Sequence, residues 1–162
     1  MSHLNYMKKA LALAEKALTN GEFPVGAIIV YRNEIVAQSE RLNSFDETAH
    51  AEMNALSTFY KKNIKDREDV TIYSTLEPCL MCFGAILISG IGNLVYAYED
   101  AMGGATASNF SNMPPLYREN RLKITKDLLR DESLALFKKF FKNPENTYWK
   151  NSYLERYTLE QD

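Results

Sequence analysis

Apolar positions along the chain change their period several times, and each change marks an element. Leu4, Met7, Leu11, Ala14 and Leu18 recur at helical spacing, and Asn20-Gly21 stops the run. Val25 to Tyr31 is almost continuously apolar, as a buried strand is, and Arg32-Asn33 turns it back into a hairpin partner over Glu34 to Gln38. Met53, Leu56, Phe59 and Tyr60 predict a helix beginning near His50, with Asp46 or Thr48 as its cap. Val70 to Thr75 reads as a strand feeding a helix whose first position is Pro78, where no backbone N–H is needed. Leu94 to Tyr98 is a further strand, and Gly103 to Asn112 a polar loop. Pro114-Pro115 opens a short helix, Leu122 to Thr125 is a last strand, and Asp131 to Phe141 is helical. Pro144 begins a final helix over residues 144–158, carrying Tyr148, Trp149, Tyr153 and Tyr157.

Strands alternating with helices imply an α/β fold with a largely parallel sheet covered on both faces, and an antiparallel hairpin at one side. The 162 residues suffice for one domain spanning 1–162 and are too few for two comfortable ones. No apolar run is long enough to span a bilayer. Met1-Ser2-His3-Leu4-Asn5 lacks the charged and apolar regions of a signal peptide, so a cytoplasmic protein is expected. A net charge of −2 disfavours a broad nucleic-acid surface, and Lys138, Lys139 and Lys142 read as a solvated helix face.

Composition narrows the chemistry. The chain has two cysteines, Cys79 and Cys82, and two histidines, His50 and His3, of which His3 lies in a start of the chain expected to be mobile. Two thiolates and one imidazole are too few for a closed structural zinc site, which takes four protein ligands. They suit a catalytic site that keeps its fourth position for water. Cys79 and Cys82 are three apart and share a helix face near its N-terminus, where free N–H groups favour thiolate. His50 and Glu52 are two apart and diverge on a regular helix, so both reach one metal only from a helix start. A redox pair would leave His50-Ala51-Glu52 without a role.

Together, His50-Ala51-Glu52 and Pro78-Cys79-Leu80-Met81-Cys82 form the H-x-E…P-C-x-x-C signature of zinc deaminases. With Phe23 to Val30, Thr48-Ala49 and Gly84-Ala85-Ile86 beside them, the chain resembles the cytidine deaminase superfamily. The resemblance is to the branch of tRNA adenosine, guanine and cytosine deaminases. That resemblance implies a three-layer α/β/α sandwich around a five-stranded mixed sheet, and a homodimer or higher homo-oligomer. It also implies one Zn2+ per chain on His50, Cys79 and Cys82, with Glu52 moving protons between water, ring nitrogen and leaving amine. By the same resemblance Asn43 is a substrate contact, an amide that both donates and accepts. The loop from Asn43 to His50 is short, and Glu47 stands where proline is usual in these enzymes.

For the substrate, Leu76-Glu77 and the Phe140-Phe141 pair match tRNA adenosine deaminases. The acidic balance, the Asp100 to Ser108 loop and the long aromatic tail depart from them. Trp149 and Tyr153 are candidates for a lid over a small pocket. The sequence therefore favours a free nucleobase or nucleoside as substrate, with tRNA adenosine as the alternative. A non-catalytic zinc-binding partner subunit is the alternative from another class, and the presence of Glu52 counts against it.

Overall fold

A computed structural model describes residues 1–162. Its sheet has five strands in the order β2-β1-β3-β4-β5: β1 (Gly26–Tyr31), β2 (Glu34–Glu40), β3 (Thr71–Leu76), β4 (Asn93–Tyr98) and β5 (Lys123–Thr125). β1 pairs antiparallel with both β2 and β3, whereas β3, β4 and β5 run parallel. Helices α1 (His3–Thr19) and α5 (Arg130–Lys142) lie side by side, α1 resting on β1 and β3 and α5 on β4. α2 (Ala51–Tyr60) and α3 (Leu80–Ser89) pair on the opposite face, with α4 (Pro115–Arg118) beside α3. α6 (Tyr153–Glu160) packs on α5. The expected α/β sandwich with a five-stranded mixed sheet is therefore what the chain forms.

Strand alternation divides the core between the faces. Ile28, Val30, Tyr73, Val95 and Ala97 meet α1 through Tyr6, Met7 and Ala10. Ala27, Ile29, Ile72 and Leu94 belong to the larger cluster with Ala55, Leu56, Phe59 and Ile86.

Several elements differ from the sequence reading. The buried stripe of α1 is Met7, Ala10, Ala14 and Ala17, rotated from the expected one; Leu4 is exposed. Proximity to β1 decides this: a Cβ on Gly26 would sit 2.2 Å from the Ala10 carbonyl oxygen, so only small residues fit the seam. His3 is no part of a mobile start, because its Nδ1 is 2.7 Å from the Tyr73 hydroxyl. Neither Asp46 nor Thr48 caps α2. Asp46 instead closes the preceding turn by accepting from the Thr48 N–H and hydroxyl, and His50 is the cap residue. Pro78 stands outside α3, one place before its cap residue Cys79. The last helix starts at Tyr153, not at Pro144. Residues 144–152 are turns with Trp149 (φ 54°) and Asn151 (φ 62°) in the left-handed region, which no continuous helix contains.

Candidate active site

Two helix N-termini build the site. His50 precedes the first turn of α2 with extended backbone (φ −63°, ψ 151°), and Cys79 holds the same place before α3 (φ −66°, ψ 171°). Leaving the helical path one residue early lets His50 swing off the end of α2, while Glu52 in the first turn points inward to the sheet. This resolves the awkward two-residue spacing. Cys82, in the first turn of α3, is buried beside Glu52.

His50 Nδ1 lies 3.5 Å from Cys79 Sγ and 3.4 Å from Cys82 Sγ, and the three ligand atoms are all within 4.8 Å of one another. A tetrahedral zinc with Zn–S of about 2.3 Å and Zn–N of about 2.0 Å requires N···S edges of about 3.5 Å. The donor set therefore fits the ion with Nδ1, not Nε2, as the histidine ligand. Proton affinities point the same way. The neighbouring Cys82 and His50, against the cost of burial, draw the Cys79 thiol down to about 4. The closeness of Cys79, burial and the Glu52 carboxyl push Cys82 up. A bound cation takes both sulfurs as thiolates, so metal uptake releases protons.

Glu52 is buried, and burial raises its carboxyl above the ordinary range. Its Oε1 accepts from the Ser74 hydroxyl of β3 at 3.0 Å, and its Oε2 is 3.7 Å from Cys82 Sγ. A carboxyl held in this way, unpaired by any cation and next to the metal ligands, is suited to taking up and returning protons.

In front of these groups lies a cavity of about 250 Å³. A dry cavity of about 150 Å³ accommodates benzene, so this one has room for a single nucleobase-sized ring system. His50, Glu52 and Cys79 line one wall, and Phe23 and Val25 lie beneath. The other side of the lining, the far wall, joins Arg41 and Glu47 of the loop before His50 to Tyr148, Trp149 and Leu154 of the C-terminal part, and Glu47 brings it to within 3.6 Å of His50 Nε2. Asp100 and Gly103, from the loop after β4, complete the rim. That loop is fastened to the cysteine motif. Glu77 accepts from the Asp100 N–H, the Thr106 N–H and the Thr106 hydroxyl, and the Ala105 N–H donates to the Pro78 carbonyl. Gly104 is required there, because a Cβ would fall 2.3 Å from Glu77 Oε2.

The residues expected from the sequence divide into two groups. His50, Glu52, Cys79 and Cys82 come together, and Trp149 reaches the cavity mouth, 42% exposed. Asn43 does not line the cavity; it is exposed, and its Oδ1 accepts from the Phe45 N–H in a local turn. Tyr153 is exposed and also lies outside the cavity lining. Phe140 and Phe141 are core residues packed edge-on against Phe23. The sequence reading passed over Arg41, Tyr148 and Asp100 as cavity residues. Arg41 is only 3% exposed in its side chain, donating to the Asn43 and Ser44 carbonyls and to the Tyr148 hydroxyl. No motif marks it: two of its partners are backbone carbonyls two and three residues on, and the third, Tyr148, is brought in by the tertiary fold.

A helix–sheet–helix layering with two thiolates, one imidazole and a free buried carboxyl at converging helix starts is the arrangement of the zinc-dependent deaminases, hydrolases that act on C–N bonds. The family model described as the cytidine and deoxycytidylate deaminase zinc-binding region matches residues 1–98, and the chain belongs to that family. A tRNA-specific adenosine deaminase of Buchnera aphidicola subsp. Schizaphis graminum is 38% identical over 148 residues, covering 85% of this chain and 93% of that protein. A solved tRNA:A34 deaminase is 31% identical with a TM-score of 0.69, over 82% of this chain and 98% of its own. The guanine deaminase of Bacillus subtilis is 35% identical with a TM-score of 0.56, over 61% of this chain and 66% of its own. No helix of the chain is long and apolar enough to cross a membrane.

Proposed function

We propose that this chain hydrolyses the amino group of adenosine within a tRNA, giving inosine and ammonia. Similarity to a tRNA-specific adenosine deaminase along 85% of the chain carries this reading. It reverses the preference that the sequence's long aromatic tail suggested. The placement of the tail supports the reversal. α6 buries Leu154 and Thr158 against the body, with Thr158 bonded to the Tyr98 hydroxyl, and leaves Tyr153 outside. Half-exposed Trp149 of the cavity lining is open to solvent, which supports a base still attached to its chain. Extruding a base into such a pocket is how enzymes of this chemistry reach it.

The roles follow from position. His50, Cys79 and Cys82 would hold the ion, which when bound would lower the pKa of a water toward neutrality and so supply the nucleophile. Glu52 accepts the proton of that water at its carboxylate and passes it to the ring nitrogen beside the reacting carbon. It later helps protonate the departing amine. Ser74 fixes the Glu52 carboxyl through Oε1, leaving Oε2 on the metal side. Glu52 in place favours an active enzyme over a non-catalytic partner subunit. Exposed Leu80, Ile88 and Leu116 on the neighbouring helices α3 and α4 offer a surface for a second copy.

A free-base substrate is the second reading, favoured by the aromatic far wall of Tyr148 and Trp149 and by 35% identity to the Bacillus guanine deaminase. One assay separates them. Zinc-loaded protein is incubated with an anticodon stem-loop carrying adenosine, and separately with guanine, cytosine, adenosine and cytidine. Inosine in the RNA with no ammonia from the small molecules is the expected result; ammonia from a free base alone would replace the first reading with the second.

A further inference from the structure

We propose that Glu47 is the positioning residue for the metal-binding histidine, and that Tyr148 holds it in place, so that the far wall of the cavity is connected to the metal centre. A histidine that binds through Nδ1 carries its proton on Nε2, and that N–H needs an acceptor to fix the ring. In this chain His50 Nε2 is buried and has no hydrogen-bond partner. The charged group facing it is the Glu47 carboxylate, with Oε2 at 3.6 Å. That gap is slightly longer than a hydrogen bond, and Glu47, with 60% of its side chain exposed, has the freedom to close it.

The carboxylate is aimed from its other side. The Tyr148 hydroxyl donates to both Glu47 oxygens at 3.1 Å. The buried Arg41 guanidinium donates to that hydroxyl at 3.4 Å and stands 3.9 Å from Glu47 Oε2. Arg41, Tyr148, Glu47 and His50 thus form a chain of polar contacts from the turns after α5 to the ion's histidine ligand. Carboxylates in this outer position change metal affinity by about 10- to 100-fold when removed. The inference rests on His50, Cys79 and Cys82 holding zinc, and not on the choice of substrate.

The test measures metal directly. Zinc affinity of Glu47→Ala, Glu47→Gln and Tyr148→Phe is read by chelator competition, and the cobalt-substituted proteins are compared by their visible ligand-field spectra. Glu47→Ala is expected to weaken zinc binding at least about tenfold and to shift the cobalt bands. Glu47→Gln, which still accepts a hydrogen bond, should recover most of that loss, and Tyr148→Phe should fall between. A change under about tenfold for Glu47→Ala, or a Glu47→Gln variant as weak as Glu47→Ala, would overturn the proposal. Wild-type protein that binds no stoichiometric zinc would instead remove the metal site on which it depends.

Discussion

The two walls of the cavity are made in opposite ways. The metal wall consists of two short segments, residues 50–52 and 79–82, each set at the start of a helix that packs on the sheet. The far wall is assembled from Arg41 and Glu47 in a loop, Tyr148 and Trp149 in irregular turns, and Leu154 in α6. Reaction chemistry depends on a few atoms at fixed separations, and a helix start supplies those locally. Recognition depends on shape, which this chain builds from contacts more than a hundred residues apart, such as Tyr148 with Glu47.

The contrast is broken most sharply by changes that hit one wall alone. Glu52→Ala should leave the fold and zinc content intact while turnover falls by about 10²- to 10⁴-fold. Single-turnover kinetics with parallel zinc analysis would reveal it, and an active variant would remove the proton-transfer role. Trp149→Ala should do the reverse. If its ring stacks on a nucleotide at the mouth, its loss costs about 1–3 kcal/mol of binding. This would appear as KM for the stem-loop rising at nearly constant kcat, with zinc affinity unchanged; an equal drop in kcat would mean that Trp149 serves the chemistry.

The smallest effect concerns what moors the far wall. Arg130 donates to both Glu99 oxygens and to Gln161, and Tyr157 of α6 donates to Glu99. Burial alone would raise the Glu99 carboxyl, but the bonds from Arg130, its own backbone and Tyr157 outweigh it and hold the group below its ordinary value. A depressed carboxyl stabilises the fold above the unfolded-state value, and that contribution disappears as pH falls through the folded one. The stability difference between wild type and Arg130→Met should therefore be present near neutrality and shrink on acidification. For a partly exposed pair it should not exceed about 1 kcal/mol. Denaturant titrations of both proteins across that range would show it, and a difference that grew in acid would contradict the assignment.

What could be read from the sequence follows the same division. The hairpin at Arg32-Asn33, the parallel strands and both metal-bearing helices were legible, because period, turn residues and ligand spacing are properties of neighbouring residues. The α1 seam was not, since Leu and Ala both satisfy a helical stripe and only the approach of Gly26 selects the alanines. Asn43, a substrate contact by resemblance, closes a turn onto Phe45 in this short loop and is not part of the cavity lining. The tail looked helical from Pro144 because its aromatics recur at about the right interval, while the left-handed residues that interrupt it leave no periodic trace.

Trp149 occupies backbone territory where glycine or asparagine is at ease and a bulky ring is not. Thermostability and performance should consequently pull that codon in different directions. A laboratory selection rewarding heat tolerance alone would be drawn to Trp149→Gly or Trp149→Asn, relaxing the main chain while blunting the grip on what the protein processes.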